Sequence, residues 1–129
     1  MPKARSNVML RQEVIDYIER EYGVEAEHLW IKFPDYAVFR NTKNKKWFAL
    51  IGSVEESKLR QEGTGRVDIL NLKCDPILIG SLLHNKGYYP AYHMNKKSWI
   101  TVALDGSVSN GELKDLIHLS YEIIEKMKK

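Results

Sequence analysis

From residue 10 to residue 22 the apolar side chains fall at Leu10, Val14, Tyr17, Ile18 and Tyr22, with Arg11, Glu13, Asp16, Glu19 and Arg20 on the other side. This three-to-four spacing predicts an amphipathic helix with one buried stripe. Gly23 stands where a left-handed residue would close it, and Ser6 or Asn7 is available as its N-cap. After His28 the pattern shortens to runs rich in aromatic and β-branched residues, interrupted by Pro34-Asp35 and by the polar stretch Asn41-Thr42-Lys43-Asn44-Lys45-Lys46. Such runs predict an antiparallel hairpin with arms at 36–40 and 47–54 and the Lys-rich stretch as its tip. Residues 55–66, with Gly63 and Gly65, read as a surface excursion before a further strand at 67–72.

Asp75-Pro76 is a strong helix start, since Asp accepts a backbone N–H as N-cap and Pro is tolerated at the first helical position. Leu78, Ile79, Leu82 and Leu83 give that helix a broad apolar face, and Gly87 is its expected stop. A second hairpin follows, with arms at 88–94 and 99–104 around Asn95-Lys96-Lys97-Ser98. The last helix opens at Ser109, three residues before Glu112, in the spacing of a capping box, and Leu113, Leu116, Ile117, Ser120, Ile124 and Met127 hold one face. The order helix, strands, helix, strands, helix predicts an α+β fold, an antiparallel β-sheet with helices packed on one face.

Composition agrees with this reading. A chain of 129 residues, 43% hydrophobic and 29% charged, is expected to form a single domain over 1–129, with residues 1–7 as a flexible lead. Its apolar runs fall far short of the ~20 residues a bilayer crossing needs. The charged start has no apolar stretch behind it of the kind an export signal carries. Cys74 is the single cysteine, so no intramolecular disulfide is possible. The expectation is a cytoplasmic monomer with no membrane partner. The net charge of +3 is unevenly spread: residues 1–36 hold five Lys/Arg against seven Asp/Glu, residues 37–105 eleven against six, and residues 106–129 four against four. The positive charge therefore belongs to the middle of the chain, an argument about partners.

Several blocks carry a resemblance: Lys46-Trp47-Phe48-Ala49-Leu50, Asn71-Leu72-Lys73-Cys74-Asp75-Pro76, Pro90-Ala91-Tyr92-His93-Met94-Asn95-Lys96 and Trp99-Ile100-Thr101-Val102. With Trp30, Pro34, Phe39-Arg40 and Ser120-Tyr121 in the same order, the sequence resembles the MmcQ/YjbR family over nearly its whole length. The resemblance implies a compact α+β fold of the type likened to secretion chaperones and frataxin-like proteins, with two hairpins described as a double wing. It also implies DNA binding, the role commonly assigned to that family.

The residues themselves support a similar reading. Arg40, Lys43, Lys45 and Lys46 on the first tip and Lys96 and Lys97 on the second could neutralise phosphates, with Asn95 and His93 as polar neighbours. Arg40 is the candidate for a bidentate contact because its planar fork matches phosphate or guanine. The competing account is that Lys and Asn simply populate solvated turns, that the tryptophans are core, and that His93 is hydrogen-bonded within the sheet. A different class of function, a small-molecule or peptide-binding module, would use an aromatic groove built from Trp30, Tyr36, Trp47, Tyr92, His93 and Trp99.

No catalytic residues, cofactor or metal site are assigned. Cys74 beside Lys73 at a helix start could be a nucleophile only if the fold brought His84 or His93 to it; as a small buried residue next to a helix cap it needs no such partner. His28, His84, His93 and His118 lack metal-ligand spacing. Glu13, Asp16, Glu19, Glu21, Glu25 and Glu27 make the N-terminal segment acidic, which fits a solvated helix face alternating with Arg11 and Arg20 better than a cation ridge.

Overall fold

The computed structural model describes residues 9–60 and 62–128. Helix α1 (Arg11–Tyr22) buries Val14, Ile15 and Ile18 and ends at Gly23, whose φ of 64° is left-handed. Its start is at Leu10, whose N–H donates to Glu13 Oε1 at 2.9 Å. The capping candidates Ser6 and Asn7 lie outside the described residues. Strands β1 (Ala37–Arg40) and β2 (Trp47–Glu55) form the first hairpin. A five-residue helix, α2 (Glu56–Arg60), occupies part of the excursion and leads to β3 (Arg66–Lys73).

Helix α3 (Pro76–Leu82) starts as its sequence dictates, with the Asp75 side chain accepting from the Ile77 N–H at 2.8 Å. It stops at Leu82, short of Gly87. That glycine, at φ 95°, instead turns the chain into β4 (Tyr88–Pro90), and a Cβ there would meet Ser107 and Val108 at 2.8 and 2.9 Å. The second hairpin is shorter than expected because Pro90 ends β4, leaving residues 91–98 as the connection to β5 (Trp99–Ala103). Helix α4 (Asn110–Glu125) is capped by Ser109, whose side chain accepts from the Glu112 N–H, while the Glu112 carboxylate accepts from the Tyr88 hydroxyl.

The five strands are antiparallel in the order β1-β2-β3-β5-β4. Alternation along each strand divides their side chains. Ile51, Leu70, Leu72, Ile100 and Val102 point into a dry core against Val14 and Ile18 of α1, Ile79 and Leu82 of α3 and Leu113, Leu116, Ile117 and Ile124 of α4. The opposite face carries a much smaller cluster of Val54, Val67, Ile69 and Ala103, partly covered by Tyr36, Leu59 of α2, Tyr89 and Tyr92.

One irregularity sets the end of β2. Phe39 pairs with Ala49 and Arg40 with Trp47, so Phe48 is an extra residue, a β-bulge. Phe48 and Ala49 both enter the helix-side core, and Trp47 is turned to the other face. Beside β1, Glu27 exchanges backbone hydrogen bonds with Val38 at 2.9 and 3.0 Å and protects the sheet edge.

Candidate functional site

Both hairpin tips leave the same end of the sheet. Arg40 pairs with Trp47, Ala49 with Leu72, Lys73 with Trp99 and Pro90 with Ile100, so the first tip, the end of β3 and residues 91–98 emerge side by side. At ~4.8 Å per strand, the feet of the tips on β2 and β5 stand about 10 Å apart. Lys73 lies between them, its Nζ 5.6 Å from the centre of the Trp99 ring. Sequence reasoning missed this lysine because only the strand order puts it there.

The first tip is tightly built. Asn41 is buried, and its Oδ1 accepts from the N–H groups of Lys43 and Asn44 at 2.8 and 3.3 Å. Asn44 Nδ2 donates to the carbonyls of Ile124 and Met127 at 2.7 and 3.0 Å, fastening the tip to the C-terminal end of α4. Lys43 Nζ meets Glu125 at 2.9 Å, a hydrogen bond that raises the ammonium pKa. Arg40 is not a free fork: its Nε donates to both carboxylate oxygens of Glu27 at 3.0 and 3.2 Å and its Nη1 to the Lys45 carbonyl at 3.1 Å. The bidentate role expected of it is therefore already filled from within the chain. Lys45 and Lys46 make no ion pair among the described residues.

The second tip is held more lightly. Asn95 Oδ1 accepts from the Lys97 N–H at 2.8 Å, and Lys96 Nζ donates to the Ala91 carbonyl at 2.8 Å. The base of the segment is fixed by a polar pair inside the sheet. Thr101 Oγ1 donates to Asn71 Oδ1 and accepts from the Tyr92 N–H at 2.8 Å, while Asn71 Nδ2 donates to the Tyr92 carbonyl at 3.2 Å. His93 is exposed at φ 58°, its ring 4.2 Å from that of Tyr92. It belongs to a turn, and the expectation of a sheet-bonded histidine does not hold.

On the face opposite α1, α3 and α4, an open cleft of about 690 Å³ runs along β2 from Trp47 at the tip end to Glu55, Lys58 and Arg66 at the other. Trp30, Tyr36, Trp47, Tyr92 and His93 all line it, so five of the six residues of the expected aromatic groove are brought together. Trp99 is not: it is buried beneath Lys73. The Trp30 ring stands nearly perpendicular to Trp47 at 5.8 Å and to Tyr36 at 6.4 Å. Tyr36 rests on the backbone of Gly52, where an added Cβ would lie 2.6 Å from its ring, and burial raises its hydroxyl pKa. Loop residue Phe33, 59% exposed, forms part of the rim, and the neighbouring Ile31 is 97% exposed. Arg66 also lines the cleft, with Nε and Nη2 donating to Ser53 Oγ and O at 3.1 and 2.8 Å. Phe33 was visible in the aromatic run 30–36; Arg66 reaches the site only through its register opposite Glu55.

The remaining candidates separate from this end. Cys74 is buried, and burial, with Asp75 beside it, pushes its thiol up to about 11. The small 90 Å³ cavity it borders is lined by no histidine. In the acidic segment, Glu19 accepts from the Ala26 N–H, Asp16 from Gln12, and Glu27 from Arg40. No group of three His, Cys, Asp or Glu is placed to hold a metal among the described residues. Among the same residues, no helix is long and apolar enough to cross a membrane.

The chain is 37% identical over 116 residues to the Bacillus subtilis uncharacterized protein YyaQ, covering 90% of this chain and 98% of that one. A Pseudomonas syringae protein solved by crystallography is 46% identical, with a TM-score of 0.87 over 90% of this chain and 99% of that one. A Deinococcus radiodurans crystal structure shares the fold at a TM-score of 0.60 and 28% identity, over 87% of this chain and 78% of that one. Residues 20–123 match the YjbR family model, and the chain belongs to the YjbR family.

Proposed function

We propose that this protein binds nucleic acid through the end of the sheet from which both hairpin tips emerge, in a backbone-dominated and weakly sequence-specific manner. The observation that carries the reading is the side-by-side exit of the two Lys-bearing tips with Lys73 between them. Lys45, Lys46, Lys73, Lys96 and Lys97 supply the phosphate contacts, and Lys43 joins them at the expense of its pairing with Glu125. Arg40 positions the first tip through Glu27 and Lys45, and the Asn95 side chain shapes the second. Point-like lysines track phosphates without reading base edges.

The test is fluorescence anisotropy on a short duplex and a single strand at two salt concentrations, with wild type and a variant carrying Gln at 43, 45, 46, 96 and 97. Four phosphate contacts on a duplex would cost roughly two decades of affinity between 50 and 200 mM salt, at about −0.9 per phosphate. Loss of that binding in the variant is the expected outcome; wild type and variant alike at low salt would sink the reading. A second reading, a small planar ligand or a peptide held in the cleft, is favoured by the convergence of Trp30, Tyr36, Trp47 and Tyr92 on one cavity.

A further inference from the structure

The cleft adjoins both basic tips, and that adjacency points to its occupant. Trp47 is the first residue after Lys46, and the cleft residues Tyr92, His93 and Met94 run directly into Lys96 and Lys97. A group seated at the Trp47 end of the cleft thus has both lysine-bearing tips beside it, while the far end is lined by Glu55, Lys58 and Arg66. A free planar molecule needs no such flanking charge, whereas a strand entering along one tip and leaving along the other does. We infer that the cleft receives unpaired nucleobases of a single strand whose phosphates follow the two tips, an inference that rests on the nucleic-acid reading above.

The geometry suits this occupant in several respects. A volume of 690 Å³ lies within the range of small-molecule sites and exceeds what a single base fills. Trp30, Trp47, Tyr36 and Tyr92 are each only partly buried, so ring surface remains for stacking. Trp30 packs edge-on with Trp47 at 85° and with Tyr36 at 83°, so each contact occupies at most one face of a ring and leaves the opposite face uncovered by that partner. Arg66, held through Nε and Nη2 by Ser53, adds a fixed positive charge to the lining. The Asn71–Thr101 pair holds the Tyr92 backbone in place before any ligand arrives. A base within a duplex is already stacked and must be extruded to enter, which a single strand avoids. The cleft therefore selects single over double strands, with little dependence on base identity.

The experiment compares a twelve-nucleotide oligothymidine, an abasic strand of the same length and charge, and a duplex, by anisotropy and by quenching of tryptophan fluorescence. The proteins are wild type, Trp30→Leu, and Phe33→Ala, the last altering an exposed rim residue that the core does not need. Wild type is expected to bind oligothymidine tenfold to a hundredfold more tightly than the abasic strand or the duplex, with quenching. Trp30→Leu should erase most of that preference and Phe33→Ala part of it, both keeping the salt slope. Equal, salt-dependent affinity for all three nucleic acids overturns the base-stacking inference and leaves the phosphate reading standing. Binding of none of them overturns both. Quenching by free thymidine without binding of any strand also overturns the inference, in favour of a small ligand.

Discussion

The two faces of the sheet follow opposite rules. The face under α1, α3 and α4 is closed: Phe39, Phe48, Ile51, Leu70, Leu72, Ile100 and Ile117 are fully buried, and burial alone explains the residue at each position. The other face buries a far smaller patch and leaves Trp30, Phe33, Tyr36, Trp47 and Tyr92 partly in water. Large aromatic groups held half-exposed on a rigid sheet are uneconomical for stability and useful for binding, because their contact surface is already ordered. Stability and recognition are thus assigned to different sides of the same five strands.

Substitutions can break that division, and the largest effect is expected on the closed side. Phe48→Ala removes a fully buried ring that packs against Tyr22, Phe39 and Tyr121, and should cost about 3–5 kcal/mol in chemical denaturation. On the open side, Gly52→Ala places a methyl group 2.6 Å from the Tyr36 ring and forces that ring outward. Overpacking of this kind should cost about 1–3 kcal/mol and change the tryptophan emission of the cleft in the folded protein. The smallest effect is at Cys74, which probes how well the closed side is sealed. With its thiol held neutral up to about pH 11, the folded protein should resist iodoacetamide at pH 8, and labelling should accelerate only as the pH approaches that value or the protein unfolds. Rapid labelling at pH 8 would mean that the helix-side core opens more readily than its packing implies.

Most of the fold was legible in the sequence, for reasons that can be assigned residue by residue. Asp75 and Ser109 signal their helices through local capping chemistry, and the Val14–Ile18 stripe through its period, none of which needs tertiary information. Gly87 was recognisable as a residue requiring positive φ, but whether it ends a helix or turns into a strand depends on Ser107 and Val108 across the fold. Helix α2 was not legible, since it buries no residue of its own and is tied to the open face through tertiary contacts such as those of Leu59 and Arg60. At the site, the aromatic residues were visible as clusters beside turns. Lys73 and Arg66 were not, because strand order and register alone bring them there, and the pairing of Arg40 with Glu27 depends on an edge bridge thirteen residues distant.

The extra residue at Phe48 acts on the phase of the strand. Inserting or removing one residue exchanges the two sides of a strand. Here the exchange is confined to the last step of the hairpin, so the body of β2 keeps its inward register while Trp47 and everything beyond it toward the tip is inverted. Deleting Phe48 would therefore leave Ala49 opposite Phe39 and Trp47 opposite Arg40 in a regular ladder, with the indole still on the cleft side and the helix-side core short of one ring.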